Sequence, residues 1–547
     1  MQKQWKDVNG IYQIYPRSFM DSNADGVGDL RGVIDRLEYI KGQKDSLGID
    51  AIWFSPIFSS PMADFGYDVS NYCDIHPLFG TLDDFKELVA KAHEQGVKVM
   101  VDYVPNHTSD QHPWFQQSQK SKTGDKSDFY VWRDARPDGS PPNNWLSIFG
   151  GPAWEWSDER KQYYLHTFLK EQPDLNWDNP LVRAEMREVL RFWFDLGVDG
   201  IRADAVRFMA KDSKFRDDPV NPNYVAAPDS DPYWGLIHSN SRFGEKLFDY
   251  LRELTDVVAE YDDRIMIFED YPDSDIGDVR EQYLGFYSIN PDVSMPFNFD
   301  GIGAPFDAEV YSRFVSEFQG MLTDEHTPVY CFGNHDQPRL VSRVGSEEAR
   351  VVALLQLTLP GLPVVYYGDE IGMENVEIPV DKVQDPIALT QPGLNTGRDP
   401  ERTPMRWSDS KNAGFSDAKD TWLPVGDKVA DINVDSQLGD PDSFLALYRR
   451  LLKLRTRHNV LRYGDYETFG EPADGTMTFA RRYENEHVFV AANFTDQEVR
   501  VDLPHTGRIL CCAHPVDYPE ISPDGIMTLR PYEAALVECV EHPVNED

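Results

Sequence analysis

The sequence predicts an α/β fold: a (β/α)8 (TIM) barrel, a small domain inserted after its third strand, and an all-β sandwich at the C-terminus. Three observations predict it. Short β-branched and aromatic runs alternate with amphipathic helical stretches about eight times, the pattern of a parallel sheet whose crossovers are helices. A polar, Trp-rich stretch of about 70 residues separates "VDYVPNH" from "DLNWDNP", too long for an ordinary connection. After the helical run "DSFLALYRRLLKLRTRH" the pattern changes to alternating strands such as "MTFARRY" and "HVFVAAN".

The elements follow in order. "GIYQIYPRSF" is the first strand, and "LRGVIDRLEYIKGQKDSLG" reads as a helix ending at Gly48. "IDAIWFSPIF" is the next strand. "TLDDFKELVAKAHEQG" is a helix with Thr81 as its N-cap and Gly96 at its end. "VKVMVDYV" is the third strand, and "DGIRAD", "RIMIFED", "TPVYCFGNHD" and "PVVYYGDE" are later ones. The domains are then residues 1–104 (first part of the barrel), 105–176 (inserted domain), 177–462 (second part, with an irregular insertion near 372–430) and 463–547 (sandwich).

A chain of 547 residues exceeds one ordinary core. Its formal net charge of −40, from 93 acidic and 53 basic residues, repels nucleic acid and anionic membranes, so neither is an expected partner. The five cysteines, Cys73, Cys331, Cys511, Cys512 and Cys539, show no zinc spacing, and the adjacent pair makes a poor disulfide. No apolar signal region opens the chain and no apolar run reaches the roughly 18 residues of a membrane helix. A cytoplasmic protein with free thiols is expected.

In such a barrel, catalytic groups come from the C-terminal ends of different strands. Here "VDYVPNH" carries Asp102 and His107, "GIRAD" ends in Arg202 and Asp204, "IMIFED" reaches Glu269, and "FGNHD" ends in His335 and Asp336. One such ending is an ordinary helix cap. Four around one mouth make an arrangement costly to build for stability alone. Near the first strand, "DSNADGVGD" spaces Asp21, Asn23, Asp25 and Asp29 at every second residue around the Val27 carbonyl, with Gly26 at the turn. These are oxygen donors for a hard cation, but no bidentate Glu follows at the twelfth position of a calcium-sensor loop. An acidic turn without an ion is the alternative.

These segments, in this order, resemble the α-amylase superfamily (glycoside hydrolase family 13). "GYDVSNY", "NHTSDQHPWF", "NNWLSIFGGPAWEW", "YYLHTFLKEQPDLNWDNP", "NHDQPR" and the "RTPM.W" pattern resemble its oligo-1,6-glucosidase and α-glucosidase branch, densely from about residue 5 to 460. The resemblance implies a retaining exo-acting α-glucosidase for short α-glucosides. It makes Asp204 the nucleophile, Glu269 the general acid and then base, and Asp336 the third carboxylate. It makes His107 and His335 sugar-binding histidines, Tyr67 a stacking platform and Asp102 a supporting aspartate. Asp64 and Arg402 become the pair that grips the non-reducing end, and Asp21, Asn23, Asp25, Val27 and Asp29 the ligands of a structural Ca2+ or Mg2+.

The chemistry of the residues agrees. Retention needs an ionised carboxylate about 5–5.5 Å from a protonated carboxyl. Arg202, two residues before Asp204 on the same strand face, can keep that nucleophile ionised by pairing, and neighbouring acids would raise the pKa of Glu269. Asp270 directly follows Glu269, and strand alternation points it away. Phe168 belongs either to the pocket wall or to the core. Ala205 after the nucleophile goes, in the branch resembled, with α-1,4-linked substrates or sucrose more than with α-1,6. The same site also serves transglucosylases and sucrose- or trehalose-forming enzymes, and non-catalytic relatives lack the three acids that this chain keeps. A monomer or homodimer acting on small α-glucosides is expected.

Overall fold

The computed structural model describes residues 3–539 except 228, 395, 471, 473–474, 504–506, 515–517 and 523–524, so residues 540–547 of the expected C-terminal domain lie outside the described residues. Eight parallel strands form a closed barrel: β1 (Ile11–Ile14), β2 (Ala51–Phe54), β3 (Lys98–Tyr103), β4 (Gly200–Ala203), β5 (Ile265–Phe268), β6 (Ser294–Asn298), β7 (Val329–Cys331) and β8 (Leu362–Tyr366). Each pairs with its neighbours in chain order, and β8 returns to β1 with Val364 opposite Ile11. Every residue of these strands is buried. Helices cover the outer face and side chains fill the inner one, so the strands read as continuous apolar runs.

Two expectations need correction. β6 has no counterpart among the strands read from sequence, because "SMPFN" carries Pro296 within the strand, where proline argues against one. The helix expected to end at Gly48 instead forms two short pieces, Leu30–Asp35 and Leu37–Lys41. The chain extends at Gly42, where an added Cβ would lie 1.8 Å from Glu38 Oε2. The helix Leu82–Glu94 has the expected N-cap: Thr81 and Asp84 form a capping box, and Gly96 takes a φ of +72° beyond its end.

The inserted domain holds a three-stranded antiparallel sheet, Trp132–Arg133, Gln162–Leu165 and Trp154–Ser157. Its small core includes Trp145, Trp154 and Leu165. Phe215, from the loop after β4, stacks on Trp145 at 5.4 Å beneath the Arg133 guanidinium, tying the domain to the barrel. Buried Asp174 ties it again, accepting from Thr167 and Asn106 and pairing with Lys211 Nζ at 2.7 Å. The insertion near 372–430 is built of short helical turns, with no strand among its described residues. The C-terminal domain is a five-stranded antiparallel sheet beside a two-stranded ribbon. Among the described residues no helix is long and apolar enough to cross a membrane.

Candidate active site

The ends of β3, β4, β5 and β7 meet around one buried guanidinium. Arg202, in β4, donates from Nη1 to Asp204 Oδ1 (2.6 Å) and to Asp102 Oδ2 (3.0 Å), and its Nη2 lies 2.9 Å from Glu269 Oε1. Asp102 also accepts from Trp53 Nε1 (2.6 Å) and the Tyr67 hydroxyl (2.9 Å). Beyond Asp204 the backbone turns sharply, with Ala205 in the left-handed region at φ +48°. That turn aims the Ala205 N–H at Glu269 Oε2, 2.8 Å away. Asp204 and Glu269 are thus held side by side on the two Nη atoms of Arg202.

Three carboxyls therefore share a single cation. Burial raises the pKa of Asp204 and of Glu269, Arg202 opposes it in both, and burial lifts Asp102 to about 7 against the same arginine. The Glu269 carboxyl adds to burial in raising Asp204, so the two groups do not titrate independently. Arg202 thus does not serve Asp204 alone, as its place in the strand suggested; it balances the whole cluster. Asp270 does point away, paired with Arg207 at 2.8 and 3.3 Å.

Asp336 faces the cluster from β7. Its Oδ1 accepts from Arg402 Nη2 (2.8 Å) and Arg398 Nη1 (3.2 Å). Burial would raise its pKa, but the guanidiniums of Arg402 and Arg398 outweigh burial and hold it far below the usual carboxylate range. His335 lies between Gln13 (2.8 Å at Nδ1) and the Tyr67 hydroxyl (2.5 Å at Nε2). Its ring is parallel to that of Tyr67 at 5.6 Å, and burial keeps it neutral. On the far side, buried His107 sits between the side-chain amides of Asn106 and Gln172, each 3.2 Å away. Burial lowers its pKa to about 4. Phe168 is half-buried, 5.1 Å from the His107 ring, which puts it beside the site.

Asp64 and Arg402, expected to grip the sugar end together, make no ion pair with each other. Asp64 Oδ1 accepts instead from Arg398 Nη2 at 2.8 Å, and its Oδ2 from Gln172 Nε2 at 3.2 Å. Arg402 Nε is held by the His335 carbonyl (2.7 Å), which turns its fork toward Asp336. Arg398 and Gln172 escaped the sequence reading. Their only signal was position, four residues before Arg402 and two before Asp174.

The Alpha amylase, catalytic domain family model matches residues 13–464, and that of the Maltogenic Amylase, C-terminal domain matches residues 468–536. The chain belongs to the alpha-amylase family. This alpha-amylase family member is 36% identical to the Oligo-1,6-glucosidase of Parageobacillus thermoglucosidasius, over 98% of this chain and 99% of that relative. It is 40% identical to the Probable alpha-glucosidase of Rhizobium meliloti, over 92% and 91% of the two chains. The crystal structure of an alpha-glucosyl transfer enzyme superposes with a TM-score of 0.91 at 36% identity, covering 98% of this chain and 100% of that one. A trehalulose synthase of Pseudomonas mesoacidophila superposes at 0.86 and 33% identity, covering 98% and 99%.

In this alpha-amylase family member the loop 21–29 is closed by its own hydrogen bonds. Asp21 accepts from the backbone N–H of Asn23, Ala24 and Gly26 and from Ser416 Oγ. Asp29 accepts from Ser22 and caps the following helix through Gly32 N. Among the described residues no three His, Cys, Asp or Glu side chains converge closely enough to hold an ion. The donors are all oxygen, as a hard cation requires, but Asp21 and Asp29 would have to release some of these partners to take one.

Proposed function

We propose that the protein is a retaining, exo-acting α-glucosidase that releases single glucose units from the non-reducing end of short α-glucosides. The observation that carries this is the pair Asp204 and Glu269, on neighbouring strand ends and held by the two Nη atoms of one guanidinium, Arg202. Such closeness leaves no room for the water that inverting enzymes place between carboxyls about 6.5–9.5 Å apart. Asp204 attacks the anomeric carbon as Glu269 gives its proton to the leaving oxygen, forming a covalent β-glucosyl-enzyme. Glu269, now ionised, takes a proton from water, which then displaces Asp204. Arg202 balances the negative charge as it passes between the two carboxyls. Asp336, held ionised, accepts hydrogen bonds from the sugar. Neutral His335 and His107 are placed to bind hydroxyls.

Exo action is supported by the end of the pocket, where Asp64, Arg398 and Asp336 form a closed polar wall. Ala205 supports α-1,4-linked substrates or sucrose. Likeness to an alpha-glucosyl transfer enzyme supports a second reading, in which a sugar hydroxyl replaces water in the second step. Proton NMR of products from maltose, isomaltose, sucrose and trehalose separates the two. Release of α-glucose supports hydrolysis; new glucosides or isomers without free glucose support transfer; no turnover refutes both. We further propose that loop 21–29 binds a structural Ca2+ or Mg2+, supported by its oxygen-only donors, and that the enzyme is a cytoplasmic monomer or homodimer. Adding either ion to chelator-treated enzyme should then raise its melting temperature, and an unchanged value refutes the ion.

A further inference from the structure

The helix Phe444–Arg457 forms one wall of an open groove of about 610 Å3. The opposite wall is the loop 42–48, which leads into the start of β2. The groove therefore lies toward the end of the barrel opposite Asp204 and Glu269, which follow the last residues of their strands. Lys41, Arg449, Arg450, Lys453 and Arg457 line it against a single carboxylate, Asp45. In the whole chain acids outnumber bases 93 to 53, so the balance is inverted here. Lys41 Nζ holds Asp50 (2.6 Å) and the Gly96 carbonyl (2.7 Å). Arg449 donates to the Ser46 carbonyl (3.0 Å) and to Asp45 Oδ1 (3.2 Å), and Arg450 Nη1 to the Tyr518 hydroxyl (2.5 Å). Lys453 and Arg457 are exposed and have no hydrogen-bond or ion-pair partner among the described residues. Buried Arg455 of the same helix is the contrast, donating to the carbonyls of Asn9, Leu357, Leu359 and Gly361.

Arg449, Lys453 and Arg457 recur every four residues and so form one row on the helix surface. Like charges at that spacing repel and weaken a helix. The field at a helix C-terminus favours cations only within the last turn, which includes Arg457 but neither Lys453 nor Arg449. The row thus does not serve the helix itself. We propose that this groove binds a small phosphate-bearing ligand. A phosphate monoester carries a charge of about −1.5 to −2 near neutral pH, which matches the two partnerless cations. The Arg457 fork suits phosphate oxygens, and Lys453 adds a point charge beside it. The volume falls within the roughly 300–1,000 Å3 of small-molecule sites and leaves room for a sugar or nucleoside on the phosphate. A long polyanion or an acidic protein would also meet the rest of a chain of net charge −40 and be repelled.

Calorimetric titration of the full chain with pyrophosphate, without divalent ions, should show one binding site that weakens as salt is added. Pyrophosphate should also raise the melting temperature. The double variant Lys453→Gln, Arg457→Gln should bind it about tenfold or more weakly, the scale of one lost charge-assisted hydrogen bond. Without ligand its melting temperature should not fall below the parent's, because the substitutions relieve repulsion along the row. Glucose 6-phosphate and adenosine diphosphate are titrated in parallel, and the tighter of the two shows whether the phosphate is carried by a sugar or a nucleoside. Absence of pyrophosphate binding would overturn the inference. Equal binding of sulfate at the same ionic strength would overturn it too, as would an unchanged affinity in the folded double variant, which would put the anion elsewhere on the chain.

Discussion

Replacing Glu269 by Gln keeps the volume of the side chain and removes its acidic proton. In the parent, the two carboxyl oxygens lie 2.9 Å from Arg202 Nη2 and 2.8 Å from Ala205 N. An amide has one oxygen, so one of these N–H groups must face an NH2 group, at a local cost of about 1.5–3 kcal/mol for a lost charge-assisted bond. The catalytic loss is separate. A positioned general acid contributes about 10²–10⁴-fold, which corresponds to about 3–5 kcal/mol of barrier. Maltose needs that proton because its leaving group is an alkoxide; a dinitrophenyl α-glucoside does not. Steady-state kinetics should show kcat/KM on maltose reduced by about 10²–10⁴-fold, with less than about tenfold lost on the aryl substrate. Equal losses on both substrates would refute the assignment of Glu269 as the acid.

Other outcomes follow from the same coordinates. Because burial raises the pKa of Glu269 above its ordinary value of 4.5, parent activity should extend past that pH and fall as rising pH removes the proton; a kcat/KM profile already falling at pH 4.5 would contradict this. Lys211→Met should strip a buried partner from Asp174 and cost about 3–5 kcal/mol, partly recovered by adding Asp174→Asn; a melting temperature equal to the parent's would count against the pairing. Burial lowers His107 to about 4, so the unfolded chain binds its proton more readily and that residue's contribution is intact above about pH 6.5. As pH falls toward 4 up to about 3 kcal/mol should be lost, and a flat melting profile between those values would refute it. Gly28→Ala would place a Cβ 2.2 Å from the Pro16 carbonyl and should cost about 1–3 kcal/mol in denaturation midpoint, with no loss if the backbone can yield there.

What could be read from the sequence was local. An acid at the end of a β-branched run identifies itself, because strand and side chain are contiguous, and so Asp102, Asp204, Glu269 and Asp336 were found together. Asp270 could be assigned by alternation along a single strand. Arg398 could not be linked to Asp64, because their 2.8 Å contact spans 334 positions and depends on how an irregular insertion folds over the barrel. The direction of the Arg402 fork was not legible either, because it is set by the carbonyl of His335, which gives no side-chain signal. The split of Arg202 among three carboxyls was hidden for the same reason, since it depends on the pairing of β4 with β3 on one side and β5 on the other. β6 was missed because local propensity spoke against it and burial on both sides overrode that preference.

Closure also has a consequence for synthesis. β1 emerges from the ribosome early and can pair with β2 at once, but its other edge waits for β8, with Ile11 facing Val364. At about 5–20 residues per second that wait lasts roughly 20–70 s. Throughout it, the growing sheet carries an open row of backbone groups able to recruit strands from other nascent chains. Arg398 is translated later still, so Asp204 and Glu269 leave the ribosome well before the residues that wall off the pocket. The newborn chain therefore carries Asp204 and Glu269 before Arg398, which completes their surroundings, has been made.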